Sequence, residues 1–237
     1  MQIKTKALVL NSIRYKENSL IVKCYTLSDG LKSFIVRDAY FSKKNAQKKA
    51  YFQPLTLLEI AYNFKNTAQL HYFKEIKLAY FFQSINSHIY KSAMVMFLSE
   101  ILNFSIHEEE KNEDLFVFIE TTLVWFDQHD DFSNFHLIFL LELSKFFGFY
   151  PDISEMDYPY FELTAGTFSP FQAISSLSLH ETLLFKKLVL LKFDHDTKVF
   201  HHLERQQLLK ILVHYYAIHL EGFRKPKSLE VLKQIFE

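Results

Sequence analysis

At 237 residues the chain is longer than the usual single domain of ~100–150 residues, so one large or two modest domains are expected, each able to bury a core. Hydrophobic residues make up 49% and charged residues 23%, a balance that excludes a disordered chain. The lone cysteine, Cys24, excludes an intramolecular disulfide and any zinc site built from several thiolates, and fits a reducing compartment.

The formal net charge is zero, but the charges are segregated. Residues 1–80 hold 14 Lys+Arg against 5 Asp+Glu, a net +9; residues 81–177 hold 3 against 15, a net −12; residues 178–237 hold 10 against 7, a net +3. A charge of +9 over so short a stretch is the footprint expected of a polyanion binder. The acidic middle would repel nucleic acid. The N-terminus MQIKTKALVL has no secretory core, and no window reaches the roughly 18 apolar residues of a membrane span; a cytoplasmic protein without a membrane partner is expected.

In chain order, the first elements are strands: IKTKALVLNSI, SLIVKCYTL, LKSFIVRDA, PLTLLEIAYNF and QLHYFKEIKLAY are β-branched or aromatic-rich and separated by polar breaks. Five short strands predict a small closed β-barrel over 1–80. In the second strand Leu20, Val22 and Cys24 fall on the interior face, with Lys23 and Tyr25 outward beside Ile21. Ser28-Asp29-Gly30 supplies the positive φ of a tight hairpin. From about residue 82 the period becomes helical, through Ile85, Ile89, Met96, Leu98, Ile101 and Leu102 and then Leu115, Phe118, Ile119, Thr122, Leu123 and Phe126. A helix over 133–147 stops at Gly148 and Pro151. An irregular, cysteine-free insert at about 149–177 follows, then helices over 179–193, 201–221 and 228–236. The predicted fold class is α+β: an N-terminal five-stranded barrel of the oligonucleotide-binding type (1–80) followed by an all-helical domain (81–237).

No enzyme template is present. Four isolated glycines supply neither GxGxxG nor GxxxxGK[ST], and GxSxG, HExxH and CxxC are missing. In FDHDTKVFHH, Asp194, His195, Asp196, His201 and His202 are dense enough to suggest a divalent metal, but read more simply as a turn with a helix-capping aspartate. The clusters HEEEKNED (107–114) and DQHDD (127–131) read as solvated helix caps rather than paired catalytic carboxylates. His214 and His219, five apart, miss the i,i+4 spacing of helical ligands and read as packing residues, as do Met94 and Met96. No metal or cofactor is expected.

The remaining feature is FSKKNAQKKAYFQP (41–54). Small barrels of this type bind oligonucleotides through strands two and three and the adjoining loops, with cations along the backbone and aromatic rings under the bases. The candidate DNA contacts are therefore Lys23 and Tyr25, Lys32 and Arg37 on the third strand, and Lys43, Lys44, Lys48 and Lys49 in the connection. Tyr51 and Phe52 either stack on bases or anchor the next strand. The opposing reading is a solubilising loop with buried flanking aromatics.

The ordered set Ala7–Leu10, Tyr15–Glu17, Thr26–Gly30, Lys43–Lys49 and Phe52–Pro54 resembles the N-terminal part of the bacterial recombination mediator family RecO. FLLELSKFFGFYPDI resembles its central helix with a Gly-x-x-Pro stop, and RQQLLKILVHYYAIHLEGFRKPKSLEVLKQI its last helices. The resemblance implies a non-enzymatic DNA-repair protein that binds single- and double-stranded DNA and anneals complementary strands. It also implies engagement of the C-terminal tail of single-stranded DNA-binding protein (SSB), and RecA loading together with RecR. Many members carry four cysteines after the Gly-x-x-Pro stop; here that stretch has none, so zinc is not implied and Tyr158, Tyr160, Phe161 and Phe168 are expected to hold it by packing. The family's SSB tail is acidic with a terminal apolar residue, so its receptor needs an apolar pocket rimmed by cations, sought among Lys186, Lys187, Arg205, Lys210, Arg224 and Lys225. The rival of another class is a protein-interaction adaptor that uses the acidic helical domain and never touches DNA.

Overall fold

The computed structural model describes residues 1–37, 49–64, 70–107, 111–194 and 199–235. Its first compact unit comprises Met1–Gln128 with Pro226–Ser228. Five strands, β1 (Gln2–Tyr15), β2 (Ser19–Thr26), β3 (Gly30–Val36), β4 (Leu57–Asn63) and β5 (Phe73–Leu78), form one sheet in the order β3-β2-β1-β4-β5. β1 serves two neighbours because it is long: its first half pairs with β4 and its second half with β2, both antiparallel. A register shift between Val9 and Asn11 separates the halves, the kind of irregularity that bends a strand and increases its twist. The edges of the rolled sheet meet at one parallel bridge, Phe34 to His71, where the Ile35 N–H donates to His71 O and the His71 N–H to Ser33 O, both at 2.9 Å.

Alternation along the strands sets the interior. Ala7, Val9, Val22, Cys24, Phe34 and Tyr62 are fully buried in one cluster, as the period-two pattern requires. Phe73 stacks on Phe34 at 4.3 Å, while Tyr62 meets Phe34 edge-on at 5.2 Å and its hydroxyl donates to Asp29 Oδ2 at 2.9 Å. Burial pushes the Cys24 thiol well above its ordinary pKa, so it behaves as a small apolar filler. Gly30, at φ 63°, closes the β2–β3 turn as its sequence predicts.

The outer face of β1 and β2 is covered too. Leu8, Leu10 and Tyr25 are almost fully buried, beneath α1 (Ile89–Ser105) and α2 (Glu113–Gln128). The Ser99 hydroxyl of α1 donates to Leu10 O at 2.5 Å, and the Tyr25 ring lies 6.0 Å from Phe116 of α2. Each buried leucine stabilises by ~1.5–3 kcal/mol. Residue 80 therefore marks where strands give way to helices, while the compact unit continues through both helices. Met94 packs as expected; Met96 is half exposed, because it falls on the opposite side of α1 from Met94.

In the cluster DQHDD, read as a solvated cap, residues 128–131 are exposed as expected, but Asp127 is part of a buried clamp. The Asp127 carboxylate, 5% exposed, accepts from the N–H groups of Gln83, Ser84 and Ile85 at 2.8–3.0 Å. Lys91, fully buried, donates to Ser84 Oγ at 2.7 Å and to Asp127 O at 3.2 Å. Burial by itself would raise the Asp127 pKa, but the backbone donors and the Ser84 hydroxyl outweigh it and hold the carboxyl below its ordinary value.

The second unit comprises His129–Lys225 and Leu229–Glu237. Its centre is α3 (Phe135–Leu143), in which every residue but Glu142 is buried, a helix apolar all round and enclosed on all sides. A 3-10 turn (Ser144–Phe147) ends at Gly148 in the left-handed conformation, the expected stop. The insert is not wholly irregular: β6 (Tyr160–Glu162) and β7 (Thr167–Ser169) form a hairpin. Strands of three residues are too short to leave an alternation in the sequence. Phe161 and Phe168 are buried, with Phe161 4.5 Å from Phe185 of α4 (Leu179–Leu190), whereas Tyr160 is half-buried and Tyr158 is 36% exposed. Two of the four aromatics expected to anchor the insert thus lie in the core. In α5 (His202–His219), the Tyr215 hydroxyl donates to Phe149 O at 2.9 Å and that of Tyr216 to Leu140 O at 2.7 Å. His219 stacks on Phe149 at 5.4 Å, a packing role as expected. α6 (Ser228–Ile235) follows. Among the described residues no three His, Cys, Asp or Glu side chains are placed to hold a metal, and no helix is long and apolar enough to cross a membrane; His195 and Asp196 lie outside the described residues.

Candidate nucleic-acid interface

The sequence-derived DNA residues that the structure describes, Lys23, Tyr25, Lys32 and Arg37, do not share one surface. Tyr25 points away from the sheet interior, as alternation requires, but outward here means under α2: its ring is 1% exposed and its hydroxyl donates to Asn112 O at 3.0 Å. Lys23 is half-buried and donates to Asn103 O, near the C-terminus of α1, at 3.4 Å; burial lowers its pKa. A ring packed on Phe116 has no face to offer a base, and an ammonium on a helix-end carbonyl is turned from solvent phosphate. Lys32 shares the face of Phe34, two residues on, and so lies on the opposite side of the sheet from Lys23's cross-strand partner Ser33. Lys43, Lys44 and Lys48 lie outside the described residues, as does the side chain of Lys49. Phe52, 3% exposed, anchors the chain ahead of β4 and has no face for a base, while Tyr51 is partly buried against the core cluster.

Arg37 alone of the described set stands at an exposed edge, and register shows what is beside it. Tyr15 of β1 faces Ser19 of β2, and Leu20 faces Val36 of β3, so the β1–β2 turn and the end of β3 lie at one end of the sheet, two strand spacings or ~10 Å apart. Arg37 then reaches Tyr72, just ahead of β5: its Nη2 donates to the Tyr72 hydroxyl at 2.7 Å and its guanidinium carbon lies 5.0 Å from the ring centroid. In the β1–β2 turn Lys16 adopts φ 53°, rare for a residue with a side chain, and its ammonium lies 5.4 Å from the Tyr15 ring centroid. The Arg14 guanidinium donates to Glu17 O at 3.0 Å and closes the turn. This end thus gathers Arg14, Lys16 and Arg37, and the connection that carries Lys43, Lys44, Lys48 and Lys49 leaves directly after Arg37. It also carries the β1–β2 turn and, at Tyr72, the residues just ahead of β5.

Two other cations of the sheet, Lys6 and Lys77, are paired with carboxylates. A groove of about 430 Å³ over β1, β4 and β5 is lined by Lys4, Lys6 and Lys77 together with Glu59 and Glu75. Lys77 pairs with Glu59 and Lys6 with Glu120 of α2, each at 2.7 Å. Sequence reasoning did not single out Arg14, Lys16 or Tyr72, because register sets the β1–β2 turn at the same end of the sheet as Arg37 and the roll of the sheet brings Tyr72 to it.

In the second unit, α5 and α6 border a cavity of about 360 Å³. Val213, Ala217, Phe223 and Leu229 give it an apolar lining, and Lys210, His214, Lys225 and Lys233 stand around them. Lys225 and Lys233 both donate to Glu230 Oε1, at 3.2 and 3.1 Å. Of the six cations proposed from sequence for a tail pocket, Lys210 and Lys225 line it. Arg205 instead donates to Phe200 O, Lys186 lies 5.4 Å from the Phe168 ring centroid, and Lys187 and Arg224 are exposed elsewhere. His214, read from sequence as a packing residue, is instead exposed and lines this cavity with Lys233; residues 210, 213, 214 and 217 have the spacing of one helical stripe.

The chain matches the family models Recombination protein O N terminal over residues 1–82 and Recombination protein O C terminal over residues 86–230. It belongs to the RecO family. Full-length relatives are named DNA repair protein RecO: one from Flavobacterium psychrophilum is 63% identical and one from Flavobacterium johnsoniae 61% identical, each covering all of both chains. A third, from Christiangramia forsetii, is 41% identical over the same extent. RecO membership joins the rolled sheet and the helical region in one protein, as the resemblance of the ordered motifs implied.

Proposed function

We propose that this protein is a RecO-type mediator of DNA repair and recombination that binds and anneals DNA without catalysing a reaction, on SSB-coated single strands and together with RecR and RecA, in the cytoplasm at the nucleoid. The observation that carries the reading is family membership over the whole length. In this reading residues 1–80 form the DNA-binding part and 81–237 the helical partner-binding part. Phosphates meet Arg14, Lys16 and Arg37 at the turn end of the sheet, with Lys43, Lys44, Lys48 and Lys49 in the segment that follows. Neutralised strands no longer repel each other, which lowers the electrostatic barrier to annealing. Lys23 and Tyr25 are left out of the interface because α1 and α2 occupy their side chains.

The α5–α6 cavity supports the tail-binding part. An apolar terminal residue fits among Val213, Ala217, Phe223 and Leu229, and the carboxylates of an acidic tail meet Lys210, His214, Lys225 and Lys233. The adaptor reading finds no comparable support in the arrangement of exposed cations on the sheet. A gel shift on single-stranded oligonucleotides at low and moderate salt tests the proposal. The expected result is a shift that weakens with salt at a log–log slope of about −0.7 per phosphate contacted; an adaptor would give no salt-sensitive shift.

A further inference from the structure

Resting on that reading, we infer that Tyr72 and Tyr15, each with a cation at its ring, are the base-stacking residues of the interface and give it a preference for unpaired strands. Tyr72 is 51% exposed and Tyr15 38% exposed, so each leaves aromatic surface in solvent at the end of the sheet where Arg14, Lys16 and Arg37 converge. Exposed aromatics elsewhere have a different setting: Tyr158 and Phe171, also open to solvent, fall in the acidic stretch, where a phosphate backbone would be repelled.

The Arg37 contact also fixes the Tyr72 ring. A hydrogen bond to its hydroxyl at 2.7 Å restrains the side chain, and the guanidinium 5.0 Å from the centroid adds a cation–π attraction. A ring held in this way loses little conformational freedom when a base stacks on it. The guanidinium beside the ring is placed for the phosphate linked to that base. Lys16 and Tyr15 repeat the combination in the β1–β2 turn, two strand spacings from the end of β3 that carries Arg37, so one strand crossing this end meets two separate platforms. Duplex bases are already stacked on each other and present only phosphates here. The two kinds of DNA therefore share the cations, while only the single strand uses the rings.

The test is fluorescence anisotropy with three probes of equal length: a single strand, its duplex, and a single strand whose sugars at successive positions carry no base. For Tyr72→Ala the expected result is about tenfold weaker binding of the intact single strand, with the duplex and the abasic strand bound as by wild type. Tyr72→Phe, which keeps the ring, should restore most of the affinity, and Tyr15→Ala should show the same pattern as Tyr72→Ala. Equal losses on all three probes, or no loss on the intact strand, would overturn the stacking role while leaving the DNA-binding reading standing. Failure of the wild type to bind any probe in a salt-dependent manner would overturn both.

Discussion

Replacing Asp127 by alanine removes the acceptor of three backbone N–H groups at once. Gln83, Ser84 and Ile85 donate to its carboxylate at 2.8–3.0 Å, in a site where Asp127 is 5% and Lys91 0% exposed. A hydrogen bond to a charged group contributes ~1.5–3 kcal/mol, and a buried donor left without an acceptor costs ~1–3 kcal/mol. Three such donors do not add fully, since water enters the space vacated, so a loss of about 3 kcal/mol is expected. For a chain of this size that lowers Tm by about 6–12 °C. The carboxyl pKa is held below its ordinary value in the fold, so its stabilisation is present above the unfolded pKa of ~4 and fades as pH falls through the lowered folded value. Thermal unfolding of wild type and Asp127→Ala at pH 7 and at pH 3, with hydrogen exchange at residues 83–85, makes the comparison. A wide gap at pH 7 that narrows at pH 3, with faster exchange at those three amides, is expected. A Tm change under about 2 °C at pH 7, or a gap that widens in acid, would refute the clamp.

Two further outcomes follow from single contacts. Gly166 sits at φ +71° in the β6–β7 turn, and an added Cβ would lie 2.6 Å from the Tyr215 hydroxyl oxygen. Gly166→Ala should therefore cost ~1–3 kcal/mol by strain and overpacking, read as a lower urea midpoint with an unchanged m-value. Glu230 holds Lys225 and Lys233 at the mouth of the α5–α6 cavity, so Glu230→Gln should free both and tighten binding of an acidic peptide with an apolar terminus by about two- to fivefold at low salt; isothermal titration measures it, and weaker binding would argue against the cavity as the receptor.

The strands, the hairpin at Gly30 and the helical stop at Gly148 were legible because each is a local pattern: alternation, a turn residue, a period of 3.6. The side of the sheet left free was not. Alternation placed Lys23 and Tyr25 outward correctly, but says nothing about what packs on that side, and α1 and α2 arrive from residues 89–128. Asp127 looked like a solvated cap because the N–H groups that donate to it lie more than forty residues away. Tyr72 and Lys16 carry no local signal, since they meet Arg37 and Tyr15 only through the roll of the sheet and a turn conformation. The α5–α6 cavity was half legible: the helical stripe of α5 is a local spacing, the contribution of Lys233 from α6 is not.

DNA is held, on this reading, at the turn end of the sheet and not in the charged groove over β1, β4 and β5. The most direct test is salt titration of single-strand binding for two triple charge reversals, Arg14/Lys16/Arg37→Glu and Lys4/Lys6/Lys77→Glu, with circular dichroism to verify folding. The first is expected to bind at least about tenfold more weakly, with a log–log salt slope shallower by about 0.7 for each phosphate no longer neutralised, while the second binds within about twofold of wild type. A normal slope and affinity in the first, with the weakened binding appearing in the second, would contradict it.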